Sequence, residues 1–91
     1  MNKGELVDAI ADRIKGTTKK QIETILSAAI DSIVDTVADG DRVTLVGFGT
    51  FEARQRKERE GRNPRTGDIM VIPPTTVPAF SAGKTFKQRV N

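Results

Sequence analysis

Six basic side chains crowd a short stretch of this chain that contains almost nothing hydrophobic. Within residues 52–68 the only hydrophobic side chain is Ala53. The cations of this stretch are Arg54, Arg56, Lys57, Arg59, Arg62 and Arg65. Guanidinium and ammonium groups bind phosphate oxygens through charge-assisted hydrogen bonds. These groups therefore favour anion binding. The density of positive charge in so short a stretch indicates a nucleic-acid partner.

The basic stretch lies between two segments with the period of a β-strand. A strand pair with no side chain to bury cannot belong to a core. We therefore predict a two-stranded ribbon over about 53–70 that projects into solvent, with a turn at Asn63–Gly67. Its return strand is Ile69–Ile72. In an extended strand, alternate side chains share a face, so Arg54, Arg56 and Arg62 lie on one side and Lys57 and Arg59 on the other.

Two features of the ribbon have a structural as well as a functional interpretation. Its charges would also suit a solvated edge hairpin that resists aggregation. At the tip, Pro64 has the fixed φ that suits a turn. A rigid apolar ring at the end of an arm is equally suited to wedge between stacked base pairs. The two roles of Pro64 are compatible, and the sequence leaves both open.

Charge is distributed unevenly along the 91 residues. The net charge is +3, yet residues 1–45 carry six basic and eight acidic side chains, whereas residues 46–91 carry nine and four. The positive field therefore belongs to the C-terminal half.

The chain contains no Cys and no His. Thiolate and imidazole metal sites, disulfides and the common nucleophile–base pairs are thereby excluded. We expect no enzyme activity, no cofactor, no metal and no small-molecule substrate. The charged N-terminus and the lack of a long apolar run predict a cytoplasmic protein without a membrane partner.

The N-terminal part predicts a helical hairpin over about 3–39. Asn2 with Glu5, and Thr18 with Gln21, have the spacing of capping boxes. Apolar residues then recur at helical intervals, from Leu6 to Ile14 in a first helix that Gly16 ends, and from Ile22 to Val37 in a longer second helix that Gly40 ends.

The rest predicts a sheet with its arm over about 42–78 and a short final helix over about 82–90. Arg42–Val46 and Phe48–Phe51 have strand character and turn near Val46–Gly47. Three prolines confine the strand after the arm to an edge. Ser81 is the expected cap of the last helix. We find no linker or repeat, so residues 1–91 are assigned to a single α+β domain.

Gly83-Lys84-Thr85 resembles the end of a phosphate-binding loop, but Pro78 stands where that loop needs Gly. We reject a nucleotide site. Lys84 near a helix start, with Lys87 one turn further, is better suited to a backbone phosphate. The wide apolar stripe of the second helix and the four Phe residues are interpreted as core, with room for a two-fold partner helix.

Three segments closely resemble the bacterial histone-like HU family, which also includes integration host factor. They are Gly47-Phe48-Gly49-Thr50-Phe51, the tip Gly61-Arg62-Asn63-Pro64-Arg65-Thr66-Gly67, and Val77-Pro78-Ala79-Phe80-Ser81-Ala82-Gly83-Lys84. Met1–Leu6 and Gly40–Val46 match as well, so the resemblance covers essentially the whole chain. Two departures from the family pattern are visible. The segment from Ile14 to Thr18 is one residue longer than is typical, and the consecutive prolines Pro73 and Pro74 stand where many relatives have fewer prolines.

The resemblance implies an intertwined dimer with a helical base, a three-stranded antiparallel sheet, and two β-arms that embrace duplex DNA through the minor groove. The implied DNA contacts are Lys3, Arg54, Arg56, Lys57, Arg59, Arg62, Asn63, Pro64, Arg65, Thr66, Lys84 and Lys87, with Pro64 intercalating. The expected dimer core is Ile30, Ile33, Val34, Leu45, Phe48, Phe51 and Phe80.

The expected function is that of a non-sequence-specific architectural protein that bends and compacts double-stranded DNA in the nucleoid and prefers distorted duplex. It would act as a homodimer or as a heterodimer with a paralogue. One alternative is a site-specific bender of the integration host factor type. Another is a protein-interaction module whose arms grip acidic partners. RNA is a lesser option, because the chain has no Trp or Tyr to stack on bases.

Overall fold

The computed structural model describes all residues from 1 to 91 and confirms the α+β class. Its elements are α1 (Lys3–Ala11), α2 (Lys19–Ala38), β1 (Val43–Leu45), β2 (Gly49–Arg56), β3 (Arg59–Arg62), β4 (Ile69–Ile72), β5 (Thr75–Ala82) and α3 (Lys84–Val90). They fall into two compact units, Met1–Asp35 and Thr36–Asn91. The assignment of the whole chain to one domain stays a prediction. None of the three helices has the length and apolar character needed to cross a membrane.

Both predicted capping boxes are present in the first unit. The backbone N–H of Glu5 donates to Asn2 Oδ1 at 2.9 Å, and the Asn2 N–H donates to Glu5 Oε1 at 3.4 Å. At the start of α2, the Gln21 N–H donates to Thr18 Oγ1 at 3.1 Å, and the Thr18 N–H donates to Gln21 Oε1 at 2.9 Å. These bonds satisfy helix N–H groups that have no partner within the helix.

Very little of the first unit is deeply buried. The buried hydrophobic side chains of the chain are Val7 in α1 and Ile22 in α2. An exposed ion pair joins the two helices, with Lys19 Nζ 3.0 Å from Asp8 Oδ1. The hydrogen bond to Asp8, and then the charge of Asp8, raise the pKa of Lys19 above its ordinary value. Any stability from this pair is therefore complete below the unfolded pKa of Lys19 and is lost as the pH rises through the higher folded value.

The predicted end of the first helix was wrong. α1 stops at Ala11 with Asp12 as its C-cap, so Ile14 lies outside the helix. The Arg13 N–H donates to the Ile10 carbonyl, three residues back, which tightens the last turn. Ile14 is also 44% exposed, so burial of its side chain offers little to extend the helix.

The second unit contains a three-stranded antiparallel sheet in the order β1-β2-β5. Strand β1 pairs with β2 from Val43 opposite Phe51 to Leu45 opposite Gly49. The connecting turn contains Gly47 at a φ of 83°, a conformation that favours glycine. The turn was predicted near Val46–Gly47, but Phe48, expected in a strand, belongs to the turn, and its N–H donates to the Leu45 carbonyl.

Four phenylalanine rings form an aromatic cluster in this unit. Phe51 and Phe80 face each other across β2 and β5, with ring centroids 4.8 Å apart. Phe48 stacks on Phe86 of α3 at 5.3 Å and also contacts Phe80. Because Phe51 and Phe80 share one sheet face, the cluster fixes that face as the apolar one.

The predicted cap of the last helix was also wrong. Ser81 belongs to β5, where its backbone pairs with Thr50, and the N-cap of α3 is Gly83. The Gly83 N–H donates to the Phe48 carbonyl at 2.8 Å. The sheet therefore extends to Ala82, beyond the predicted limit of residue 78, because its ladder satisfies the backbone through Ser81.

Gly49 offers a test of this packing. An added Cβ would lie 2.5 Å from both the Ser81 carbonyl oxygen and the Phe80 ring. We expect Gly49→Ala to lower the free energy of unfolding by about 1–3 kcal/mol, as overpacking commonly does. The measurement is thermal unfolding followed by circular dichroism at a fixed protein concentration.

Gly4→Ala is the matched control, because its added Cβ would meet nothing closer than 3.5 Å. Gly4 lies inside α1, so this variant should be more stable by up to about 1 kcal/mol. Equal melting temperatures for the Gly49 variant and the wild type would contradict the close approach at Gly49.

Candidate nucleic-acid interface

The predicted arm is present as a second two-stranded ladder. Strand β3 pairs antiparallel with β4, from Arg59 opposite Ile72 to Arg62 opposite Ile69. The three-stranded sheet ends with Arg56 opposite Thr75. Two residues on each strand separate the ladders, so the register of β2 with β5 continues unchanged into that of β3 with β4. The arm is thus a prolongation of the sheet, interrupted once.

The interruption has a cause in the sequence. Residues 57 and 58 lie opposite Pro74 and Pro73, neither of which has an N–H to donate. Pro78 is accepted inside edge strand β5, so its missing donor faces away from β2. Donor directions alternate along a strand, so two adjacent prolines cannot both face away, and one of Pro73 and Pro74 stands where a ladder bond would be donated.

The tip is a hydrogen-bonded turn at the predicted position. The Gly67 N–H donates to the Asn63 carbonyl at 2.8 Å, and the Asn63 N–H donates to the Asp68 carbonyl at 2.9 Å. The side chain of Asn63 accepts from the Arg65 N–H at 2.9 Å. Pro64 is exposed at the outer end of this turn. Asn63 therefore shapes the tip, and Thr66 assists by accepting from the Asp68 N–H.

Every predicted cation of the arm is exposed to solvent. They are Arg54, Arg56, Lys57, Arg59, Arg62 and Arg65. The return strand exposes apolar side chains beside them, with Ile69 at 65% and Val71 at 59%. Ile69 lies opposite Arg62 in the ladder, and directly opposed residues share a face. The arm thus presents charged and apolar groups side by side on one surface.

A cluster of charges on the sheet was missed by the sequence analysis. Glu52 forms ion pairs with Arg42 at 3.5 Å and with Arg54 at 3.3 Å, and Arg54 also donates to Ser81 Oγ. Arg42 was not among the predicted contacts. A signal was present, because a hairpin that turns at Gly47 with Val43 opposite Phe51 places Arg42 opposite Glu52.

The predicted contacts outside the arm lie on helices. Lys3 is the first residue of α1, in the first unit, and its ammonium donates to Ser27 Oγ. Lys84 and Lys87 lie on α3, in the second unit, both exposed, and Lys84 opens the helix as expected. Their roles as phosphate contacts stay predictions.

The residues predicted to form a dimer core are poorly covered in the single chain. The exposed fraction is 44% for Ile30 and Leu45, 58% for Val34, 43% for Phe48 and 40% for Phe80. Ile33 and Phe51 are half-buried. Exposed apolar side chains in such number need another surface to cover them.

A helical hairpin, a small antiparallel sheet and a basic β-arm define a recognisable class. The family model described as "Bacterial DNA-binding protein" matches residues 1–91, the whole chain. The chain therefore belongs to the bacterial DNA-binding protein family, and two of its curated relatives are named DNA-binding protein HU.

DNA-binding protein HU of Synechocystis is 63% identical to this chain, over 99% of it and 95% of the relative. DNA-binding protein HU of Nostoc is 60% identical with the same coverage of both chains. Among solved structures, that of Anabaena HU crystallised with DNA superposes with a TM-score of 0.92, at 60% identity, and covers 99% of this chain and 97% of the other. The resemblance to HU drawn from the sequence is confirmed.

Proposed function

We propose that the protein is an architectural DNA-binding protein that grips duplex DNA through the minor groove, bends it, and binds with little regard to sequence. The observation that carries the proposal is the arm: a paired ribbon with exposed cations along its length and an exposed Pro64 on a hydrogen-bonded turn. The solved complex of the related Anabaena HU with DNA supports it. Like HU in general, the protein would compact DNA in the bacterial nucleoid, without catalysis.

The arm's chemistry favours contact with backbone rather than bases. Arginine and lysine neutralise phosphates and release counterions, which makes the affinity fall steeply with salt and carries no base information. In the minor groove, A·T and T·A pairs present the same acceptors. The apolar side chains beside the arginines, such as Ile69 and Val71, suit the sugar walls of a groove better than polar base edges.

Pro64 is the proposed wedge. Its ring is held by a turn in which Asn63 and Gly67 are hydrogen-bonded to each other. A ring fixed in this way can enter a base step without a large loss of its own conformational freedom. Kinks of roughly 20–90° are a general property of minor-groove architectural proteins, HU among them.

We propose that two chains form the working unit, as a homodimer or with a paralogue. Only Val7 and Ile22 are buried hydrophobic side chains in the single chain, while fourteen large hydrophobic residues are exposed. A domain of about this size seldom folds stably on so small a core. The exposed set includes five of the seven predicted dimer-core residues.

The proposal is tested by competition between three duplexes at two salt concentrations: an intact random sequence, the same sequence with a nick, and a duplex carrying a fixed site for integration host factor. Bending an intact short site costs on the order of 1–6 kcal/mol. We therefore expect the nicked duplex to bind tightest, with an advantage of at least about tenfold, and all affinities to fall with salt. The protein carries the label, because it has no Trp or Tyr.

Other outcomes of this competition discriminate the alternatives. Tight binding to one intact sequence would identify a site-specific bender. No binding to any duplex at low salt would sink the DNA proposal and favour an acidic protein partner.

Replacing Pro64 separates bending from charge. We expect Pro64→Ala to keep most of its affinity for a nicked duplex and its salt dependence, since no cation is lost, but to bend intact DNA less. Energy transfer between dyes on the two ends of a short duplex measures the bend. Arg65→Ala is the control, and should weaken binding and lower the salt dependence by about one phosphate contact. An unchanged bend with Pro64→Ala would remove the wedge from the mechanism.

Sedimentation equilibrium tests the dimer. We expect a mass of about twice 9.9 kDa at micromolar concentration, and a melting temperature that rises with concentration. Phe48→Asp should shift the mass to one chain or unfold the protein, because a charge would enter the proposed interface. Val90→Asp is the control, since Val90 is 73% exposed and outside the predicted dimer core. A wild-type mass of one chain across this range would refute the dimer.

A further inference from the structure

We propose that Arg42 and Arg54, bridged by Glu52, form a second phosphate-binding site on the three-stranded sheet, at the base of the projecting arm, in which Glu52 positions both arginines. The inference rests on the proposed function, since the phosphate belongs to the DNA that the arm grips. It adds Arg42 to the DNA contacts and gives an acidic residue a part in binding a polyanion.

The carboxylate of Glu52 pairs with two arginines, one at each oxygen. Glu52 Oε2 lies 3.5 Å from a terminal nitrogen of Arg42, and Glu52 Oε1 accepts from Arg54 at 3.3 Å through both Nε and a terminal nitrogen. Arg54 also donates to Ser81 Oγ on the neighbouring strand. Each oxygen of Glu52 therefore has its own guanidinium, and Arg54 is held at two points.

Glu52 is less exposed to solvent than the two arginines with which it pairs. The side chain of Glu52 is 23% exposed, whereas those of Arg42 and Arg54 are 68% and 53% exposed. The carboxylate is largely covered and its partners remain open to solvent. A guanidinium has five N–H donors in a planar fork, so each arginine keeps donors free after it has paired with Glu52.

The sheet fixes the direction in which this site faces. Phe51 and Phe80 point to the opposite face, which the rings of Phe48 and Phe86 cover. Glu52 and Arg54 alternate with Phe51 along β2 and so occupy the other face of the sheet. Arg56 follows on that same face at the end of β2, where the sheet leads into the arm. The site therefore continues a line of arginines that runs from the sheet toward the arm.

Charge and order both follow from this arrangement. Two guanidinium groups and one carboxylate leave a net charge of +1, enough to attract a phosphate. An unpaired arginine on a surface samples many rotamers and loses that freedom when it binds. Pairing with Glu52 already restricts the rotamers of both arginines in the free protein, so less conformational entropy is lost when DNA binds. Glu52 is therefore a positioning residue that acts through Arg42 and Arg54.

The first test measures binding to an intact duplex across a series of salt concentrations. Arg42→Ala should weaken binding at low salt by about fivefold and reduce the slope of log affinity against log salt by about 0.9, the value for one phosphate. Arg13→Ala removes the same charge from the connection between α1 and α2 and should leave the slope unchanged. A slope in Arg42→Ala equal to that of the wild type would overturn the assignment of Arg42.

The second test asks what Glu52 does. Glu52→Gln makes the chain more positive, so charge alone would tighten binding, as we expect for the control Glu23→Gln. Loss of positioning predicts the opposite sign, a weakening of about threefold. Tighter binding by Glu52→Gln would show that the carboxylate only repels DNA, and would overturn its positioning role.

A double variant separates positioning from damage to the fold. In a chain carrying Arg42→Ala and Arg54→Ala, Glu52→Gln has no arginines left to position and should not weaken binding further. An equal weakening in that background would show a structural effect and contradict the proposal. The wild type is measured in every series, and its failure to bind any duplex would instead reject the proposed function itself.

Discussion

The alternation of side chains along a single strand register is the constraint on which this molecule depends. Strands β2 and β5 pair from Gly49 opposite Ala82 to Arg56 opposite Thr75, and β3 and β4 resume the same register. A shift by one residue would exchange the two faces of the sheet. Phe51 would then be exposed to solvent, and the charged side chains of Glu52 and Arg54 would lie on the face of the aromatic cluster. One register therefore keeps the hydrophobic interior and the charged surface apart.

The sequence was most informative where a local pattern has one low-energy solution. Two capping boxes, the return strand Ile69–Ile72 and the turn at Asn63–Gly67 lie where they were predicted. In the capping boxes and the turn, the residues that form the feature are only a few positions apart, so neighbouring side chains and backbone decide it. The arm could be predicted because hydrophobic residues are absent from an otherwise regular strand pattern.

The errors fall where distant parts of the chain decide the outcome. Ser81 is a residue type that often caps a helix, but its backbone pairs with that of Thr50, on a strand about thirty residues earlier. Ile14 fits the helical period, but its side chain is too exposed for burial to extend the helix to that position. The pairing of Glu52 with Arg42 requires the exact partner of each strand residue, which period alone does not supply. Local preference yields to strand pairing at Ser81 and Glu52, and lack of burial ends the helix before Ile14.

The unbroken register across the prolines limits how the arm can change length. Residues 57–58 and Pro73–Pro74 form an unpaired interval with the same number of residues on each side. An insertion or deletion of one residue in a single strand would rotate every side chain beyond it to the opposite surface, and turn the tip with them. Matched changes in both strands, two residues at a time, would keep the arginines in place. Variation in arm length during evolution should therefore occur in paired steps, with the interval as the site that tolerates it.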